Sequence, residues 1–163
     1  YFRKEIMNKD KEGYVVGRCL CAKRLVANAK RVAEIQELAS QLALKDLKIS
    51  ENLFWMKVLG QPNFFVVTCH YGSTGKIVAM ACIGFLQTFT GLIGYIEDVI
   101  VREDHRGKGM GERMMRELIC LAREKGTAYI KLTIHPTNVA ANKLYEKVGF
   151  QRLDTSAYWL NLQ

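Results

Sequence analysis

The sequence predicts an α/β protein of the mixed, α+β kind: one central β-sheet flanked by about four helices, in the order β-α-α-β-β-β-α-β-α-β-β. Three observations carry this. Apolar, β-branched runs at 64–69, 77–85 and 95–101 are punctuated by glycine-containing turns, which is the chemistry of strands and hairpins. Apolar residues recur at helical spacing at Val32, Ile35, Leu38, Ala39 and Leu42, and again at Met110, Met114, Leu118, Leu121 and Ala122. That order of elements is met by a mixed sheet with helices laid on it.

Taken along the chain, Val15 to Cys21 reads as a first strand. The stripe from Val32 to Leu42 follows as an amphipathic helix. A second helix is expected from Ser50, an N-cap residue, to Gly60, with Pro62 preventing continuation. Phe64–Cys69 and Ile77–Phe85 form a hairpin across the turn residues Tyr71-Gly72-Ser73-Thr74-Gly75. Thr90-Gly91 turns the chain again into a strand over 95–101. A long helix is expected over 109–125 and is stopped by Gly126. Ala128, Ile130, Leu132 and Ile134 alternate with Tyr129, Lys131 and Thr133 as a half-exposed strand. A short helix over 138–148 ends at Gly149, and 150–162 reads as a closing hairpin in which Tyr158, Leu160 and Leu162 alternate.

The 163 residues suit one domain, 1–163, with 49% hydrophobic and 25% charged residues. No apolar run approaches the ~20 residues that span a bilayer, no signal peptide is visible, and no membrane partner is expected. Five cysteines, an odd number mostly inside apolar runs, argue against a disulfide framework and for a reducing, cytoplasmic setting. Cys19-x-Cys21 has no second pair at ligand spacing, and no His/Cys/Asp cluster has it either, so no metal is expected. The net charge of +8 favours anionic ligands. Aromatic residues are not interleaved with the Lys and Arg as on a nucleic-acid platform, so nucleic acid is not an expected partner.

The most informative segment is Val99-Ile100-Val101-Arg102-Glu103-Asp104-His105-Arg106-Gly107-Lys108-Gly109-Met110-Gly111-Glu112. It runs from a strand through a glycine-rich turn into a helix N-terminus. The first amides of a helix have no internal partner and carry partial positive charge. Glycines at 107, 109 and 111 allow close approach, and Arg106 and Lys108 add full charges at the rim, so the turn is a cradle for a pyrophosphate. It is not a Walker motif, because no Gly-Lys-Ser/Thr follows at the required spacing.

Arg106-x-x-Gly109-x-Gly111 resembles the Q/R-x-x-G-x-G/A signature of the Gcn5-related N-acetyltransferases. A second signature of that family is matched by Asn138-x-x-Ala141-x-x-Leu144-Tyr145-x-x-x-Gly149-Phe150. The resemblance covers about 64–162 and implies this family's fold and an acetyl-CoA-dependent transfer to a primary amine. It implies that the strands over 95–101 and 128–134 splay apart, with pantetheine against the backbone of Val99, Ile100 and Val101. The pyrophosphate would lie on Arg106 and residues Gly107, Lys108, Gly109, Met110, Gly111 and Glu112, with Asn138 and Asn142 closing the groove. An amide near Val99 or Ile100 would polarise the thioester carbonyl.

Two proton movements are required. The resemblance puts Tyr145 at the general-acid position, where a phenol stays protonated at neutral pH and donates to a thiolate. Glu97 and Asp98 lie just before the cofactor segment, and strand alternation sends them to opposite faces. One of them binds or deprotonates the amine, and His135 at the strand–helix mouth is placed to touch substrate.

The stretch Gly94-Tyr95-Ile96-Glu97-Asp98-Val99 is similar to a segment of the glucosamine-6-phosphate N-acetyltransferases, which implies that phosphorylated sugar as acceptor and a homodimer. The spacing from Asn138 to Tyr145 and the tail from Asp154 to Leu160 depart from it. Another small amine, a protein lysine or N-terminus, and a non-catalytic acetyl-CoA-binding module stay open as alternatives.

Overall fold

The computed structural model describes residues 8–9, 11, 13–19, 29–42, 61–72 and 75–162. Its elements are β1 (Asn8–Lys9), β2 (Tyr14–Cys19), α1 (Ala29–Ser40), β3 (Phe64–Tyr71), β4 (Lys76–Thr88), β5 (Gly91–Val101), a 3₁₀ turn (Glu103–His105), α2 (Met110–Glu124), β6 (Tyr129–Lys131) and α3 (Val139–Lys147). The chain divides into two compact units, residues 1–133 and 134–163. The first holds the sheet, α1 and α2; the second holds α3 and the tail.

The predicted mixed sheet is present. Its strands lie in the order β1-β2-β3-β4-β5-β6. Short turns link β3 to β4 and β4 to β5, so these pairs are antiparallel; α2 carries the chain back so that β6 runs parallel to β5. Alternation sorts β3 and β4 into two buried faces. On one, Val66, Ile77, Met80, Cys82 and Ile100 pack against Val32, Ile35 and Leu38 of α1. On the other, Val67, Ala81, Ile83 and Ile96 meet α2, whose Met110, Met114, Met115, Leu118 and Leu121 are buried. With both faces covered, the central strands read as continuous apolar runs, which is why they are so plain in the sequence.

Four expectations are corrected or fall outside the described residues. Leu42 lies beyond the end of α1 and is exposed, because the helix stops at Ser40, two residues before Leu42 would join its stripe. The helix expected over 50–60 lies outside the described residues, as do Leu20 and Cys21 of the first strand. The half-exposed strand is shorter than 128–134: only Tyr129–Lys131 join the ladder. The closing hairpin is not formed. Residues 150–162 carry no strand, and Tyr158, Trp159, Leu160 and Leu162 stand exposed. Alternation makes a segment compatible with a strand, but a strand exists only where a neighbouring ladder accepts its backbone hydrogen bonds.

The feature that shapes the site is a bulge in β5. Met80 pairs with Ile100 and Cys82 with Glu97, so Ala81 alone is opposed by Asp98 and Val99. Asp98 takes φ 54, the only non-glycine residue with positive φ among those described. The extra residue places Glu97 and Ile100 on the same face, where a regular strand would separate them. The left-handed region is tolerated by Asn and Asp and costs roughly 1–2 kcal/mol for other L-residues. Asp98→Asn is therefore expected to fold with wild-type stability or better. Asp98→Val is expected to lose roughly 1–2 kcal/mol or more, measured as a lower urea midpoint at unchanged m-value.

Candidate active site

The first unit builds a continuous strip of functional groups along β5 and into α2. Pairing between β5 and β6 covers only Ile93, Gly94 and Tyr95 with Tyr129, Ile130 and Lys131, extended by the Ala128 amide donating to the Leu92 carbonyl at 2.8 Å. Beyond Tyr95 the β6 side of β5 has no ladder partner among the described residues, although β5 continues to Val101. β6 ends at Lys131, so the backbone of residues 96–101, where the resemblance implies a splay, has no β6 residue paired with it. Val99 and Val101 are half-buried there, while the side chain of Ile100 belongs to the α1-side core.

The edge leads into the glycine turn. Gly109 is the N-cap of α2 at φ 79, and no side chain caps the helix, so the opening amides of α2 are not satisfied by a cap. Gly107 is also left-handed at φ 75. A Cβ added at either position would meet nothing within 4 Å. Glycine is needed here for its backbone conformation, and the space above it is open. Arg106 donates from Nε to the Val101 carbonyl at 3.1 Å, and Lys108 donates from Nζ to the Asp104 carbonyl at 3.2 Å. Both exposed cations are thereby drawn over the turn. Met110 reaches the site only through its backbone, since its side chain is buried in the core. Glu112 is held by Arg116, one helical turn on, at 2.8 Å. Open space, left-handed glycines, an uncapped helix start and flanking cations together fit a phosphate-bearing ligand.

The bulge interrupts the regular alternation from which opposite faces were expected for Glu97 and Asp98. Glu97 pairs with Cys82 on the α1 face, while Asp98 sits at the extra residue, where the ladder's alternation does not apply. Solvent reaches both carboxylates, yet the protein around them raises both above the ordinary carboxylate range. Partial burial is the cause at Asp98; at Glu97 partial burial leads and the Asp98 charge adds to it. Burial, then Asp98 and Glu97, push the Cys82 thiol up so that it stays protonated.

In the second unit, Asn138 is the N-cap of α3, its Oδ1 accepting from the Ala141 amide at 3.2 Å. Asn142 donates through Nδ2 to the carbonyls of Asn138 at 2.8 Å and of His135 and Pro136 at 3.4 Å. These two asparagines, expected to touch the cofactor, brace the loop 135–138 with those atoms. His135 Nδ1 lies 2.7 Å from the Thr137 hydroxyl and is exposed. Tyr145 is buried on α3, its ring tilted against Phe150 at 6.1 Å.

Sequence reasoning missed Arg102. It bonds Glu37 of α1 at 2.5 Å and reaches Asp104 at 3.5 Å, tying α1 to the turn before the cradle. A lone Arg after a strand carries no signal for such a distant partner.

A bulged strand with an unpaired edge, running into a glycine turn at an uncapped helix start, is a geometry suited to a phosphate-bearing ligand. The chain belongs to the acetyltransferase (GNAT) family, whose model matches residues 29–150. It is similar to the thialysine N-epsilon-acetyltransferase of Mus musculus, 28% identical over 142 residues, 82% of this chain and 81% of that one. It is also similar to glucosamine 6-phosphate N-acetyltransferase 1 of Dictyostelium discoideum, 32% identical over 92 residues, 55% of this chain and 57% of that one. A solved aminoglycoside acetyltransferase from a soil metagenomic sample shares the fold, with a TM-score of 0.80 at 18% identity, covering 94% of this chain and 99% of that one. The chain is thus an N-acetyltransferase, of a family that uses acetyl-CoA. Among the described residues no helix is long and apolar enough to cross a membrane.

The raised carboxylates set a stability signature. A carboxyl whose folded-state pKa exceeds its unfolded value is less stable as the anion in the fold. Its penalty is present above the folded pKa and vanishes as pH falls below the unfolded one, about 4. Asp98→Asn is expected to raise the thermal midpoint slightly at pH 7 and to leave it unchanged near pH 3, as read by scanning calorimetry at both pH values.

Proposed function

We propose that this chain moves the acetyl group of acetyl-CoA directly to the primary amine of a small molecule that also carries an anionic group. Glucosamine 6-phosphate is first among the acceptors, giving N-acetylglucosamine 6-phosphate. The observation that carries the reading is the open, bulged edge of β5, with two carboxylates of raised pKa at one end and a phosphate cradle at the other. The net charge of +8, the Gly94–Val99 segment and the Dictyostelium relative support the phosphorylated sugar. The mouse relative, covering more of the chain, favours a second reading: an amino acid whose side chain ends in a primary amine.

Acetyl-CoA supplies the thioester-activated acetyl group. On this reading Arg106 and the backbone of Gly107, Lys108, Gly109, Met110, Gly111 and Glu112 hold its pyrophosphate, and the edge of Val99, Ile100 and Val101 holds pantetheine. Asn138 and Asn142 act through the loop they brace. Glu97 or Asp98 binds the ammonium and takes its proton, since a raised carboxylate pKa narrows the gap to an amine. Tyr145 protonates the departing thiolate, and His135 contacts the acceptor. The family match runs through both compact units, which supports one domain over 1–163. A cytoplasmic homodimer completes the reading. The exposed Tyr158, Trp159, Leu160 and Leu162 support a two-fold contact, and a monomeric mass in light scattering would remove it.

Free-thiol release over a panel of amines tests the acceptor. Glucosamine 6-phosphate is expected to be fastest and glucosamine to lose most of the activity; faster turnover of thialysine would select the second reading. Arg106→Glu and Gly109→Val are expected to weaken coenzyme A binding severely in calorimetry, by repulsion and by left-handed strain. Unchanged affinity in both would remove the cofactor site. Tyr145→Phe keeps the ring and is expected to lower kcat on the order of 10²-fold with acetyl-CoA affinity and Tm preserved. Full turnover with chemistry rate-limiting would sink the acid role.

A further inference from the structure

Within residues 103–109 one side chain faces inward. Of residues 103–109, only His105 is shielded from solvent; Glu103, Asp104, Arg106, Gly107, Lys108 and Gly109 are all exposed. The His105 ring stands edge-on to Tyr14 of β2 at 5.6 Å and to Tyr71 of β3 at 4.9 Å. Its Nδ1 lies 2.8 Å from the Tyr14 hydroxyl, and its Nε2 lies 3.6 Å from the Asp104 carboxylate. Tyr14 is itself buried, and its ring lies 4.7 Å from that of Tyr71. The 3₁₀ turn is closed locally by the amides of His105 and Arg106, donating to the carbonyls of Arg102 and Glu103 at 3.0 and 3.2 Å. Those bonds shape the turn but do not locate it on the sheet.

We infer that His105 is a positioning residue for the donor site: held by Tyr14 and Tyr71, it sets where Arg106 and the left-handed glycines present their cations and amides. The inference rests on the reading of the cradle as the acetyl-CoA site. Position matters there because an anion is held by several donors at once, and a small displacement of the turn misaligns all of them. The Tyr14 hydroxyl bond is the directional part of this anchor, and it acts beside the Arg102–Glu37 pair and the Arg106 bond to the Val101 carbonyl.

The test uses His105→Phe, which keeps a ring against the tyrosines and removes the bond, Tyr14→Phe, which removes only the hydroxyl, and the double variant. Each single variant is expected to raise KM for acetyl-CoA by roughly tenfold, the equivalent of one such bond with its alignment. kcat and KM for the acceptor are expected to stay within about twofold. The double variant is expected to be no worse than either single one, because both remove the same bond. A purely structural role would lower Tm without that split in KM. If Arg106→Glu weakens acetyl-CoA binding while both phenylalanine variants leave its KM unchanged, or if their effects simply add, the positioning role is overturned and the cradle stands. If Arg106→Glu also has no effect, the cradle reading itself falls.

Discussion

The site depends on one irregularity, the extra residue in β5. An antiparallel ladder imposes a period of two, and a single inserted residue reverses the facing of everything beyond it. Here the insertion brings Ile100 into the α1-side core together with Met80 and Cys82. It leaves Asp98 outside the ladder, held in a left-handed conformation next to Glu97. The same strand then outruns its parallel partner, since β6 pairs only as far as Tyr95. Both the carboxylate pair and the open backbone edge follow from how β5 is seated between a long neighbour and a short one.

The buried faces on either side make that seating rigid. α1 and α2 cover opposite faces, so β4 and β5 cannot slip without exposing apolar side chains or burying charge. Side-chain tethers then hold the turn where the sheet gives way to the cradle. Arg102 reaches α1 through Glu37, Arg106 returns to the Val101 carbonyl, and His105 enters the aromatic pair of β2 and β3. The exposed ion pairs contribute little stability by themselves. Their consequence is geometric: they limit where a flexible glycine turn can lie.

Much of this was legible in the residues. The apolar runs at 64–69, 77–85 and 95–101 and the stripes of α1 and α2 are strong periodic signals, and each became the element expected of it. The cradle was legible because glycine, cation and helix start lie within seven residues of one another, from Arg106 to Glu112. The closing hairpin was misread for the opposite reason. Tyr158, Leu160 and Leu162 alternate, but alternation is local, whereas a strand requires a partner elsewhere in the chain. At Asn138 and Asn142 the motif was plain, but the bonds to the loop's own backbone were not.

By itself the sequence determined the class of fold, the order of the central elements, the glycine cradle and the family's two signatures, because each rests on residues close together in the chain. The tertiary structure decided where β5 bulges, on which side Glu97 faces, where the pairing of β5 with β6 ends, and which distant side chains hold the cradle. Bulges and splayed edges arise from competition between ladders for backbone partners, and the pairing of Tyr14 with His105 spans 91 positions. Such contacts follow from the packed sheet as a whole, and no local pattern of residue types encodes them.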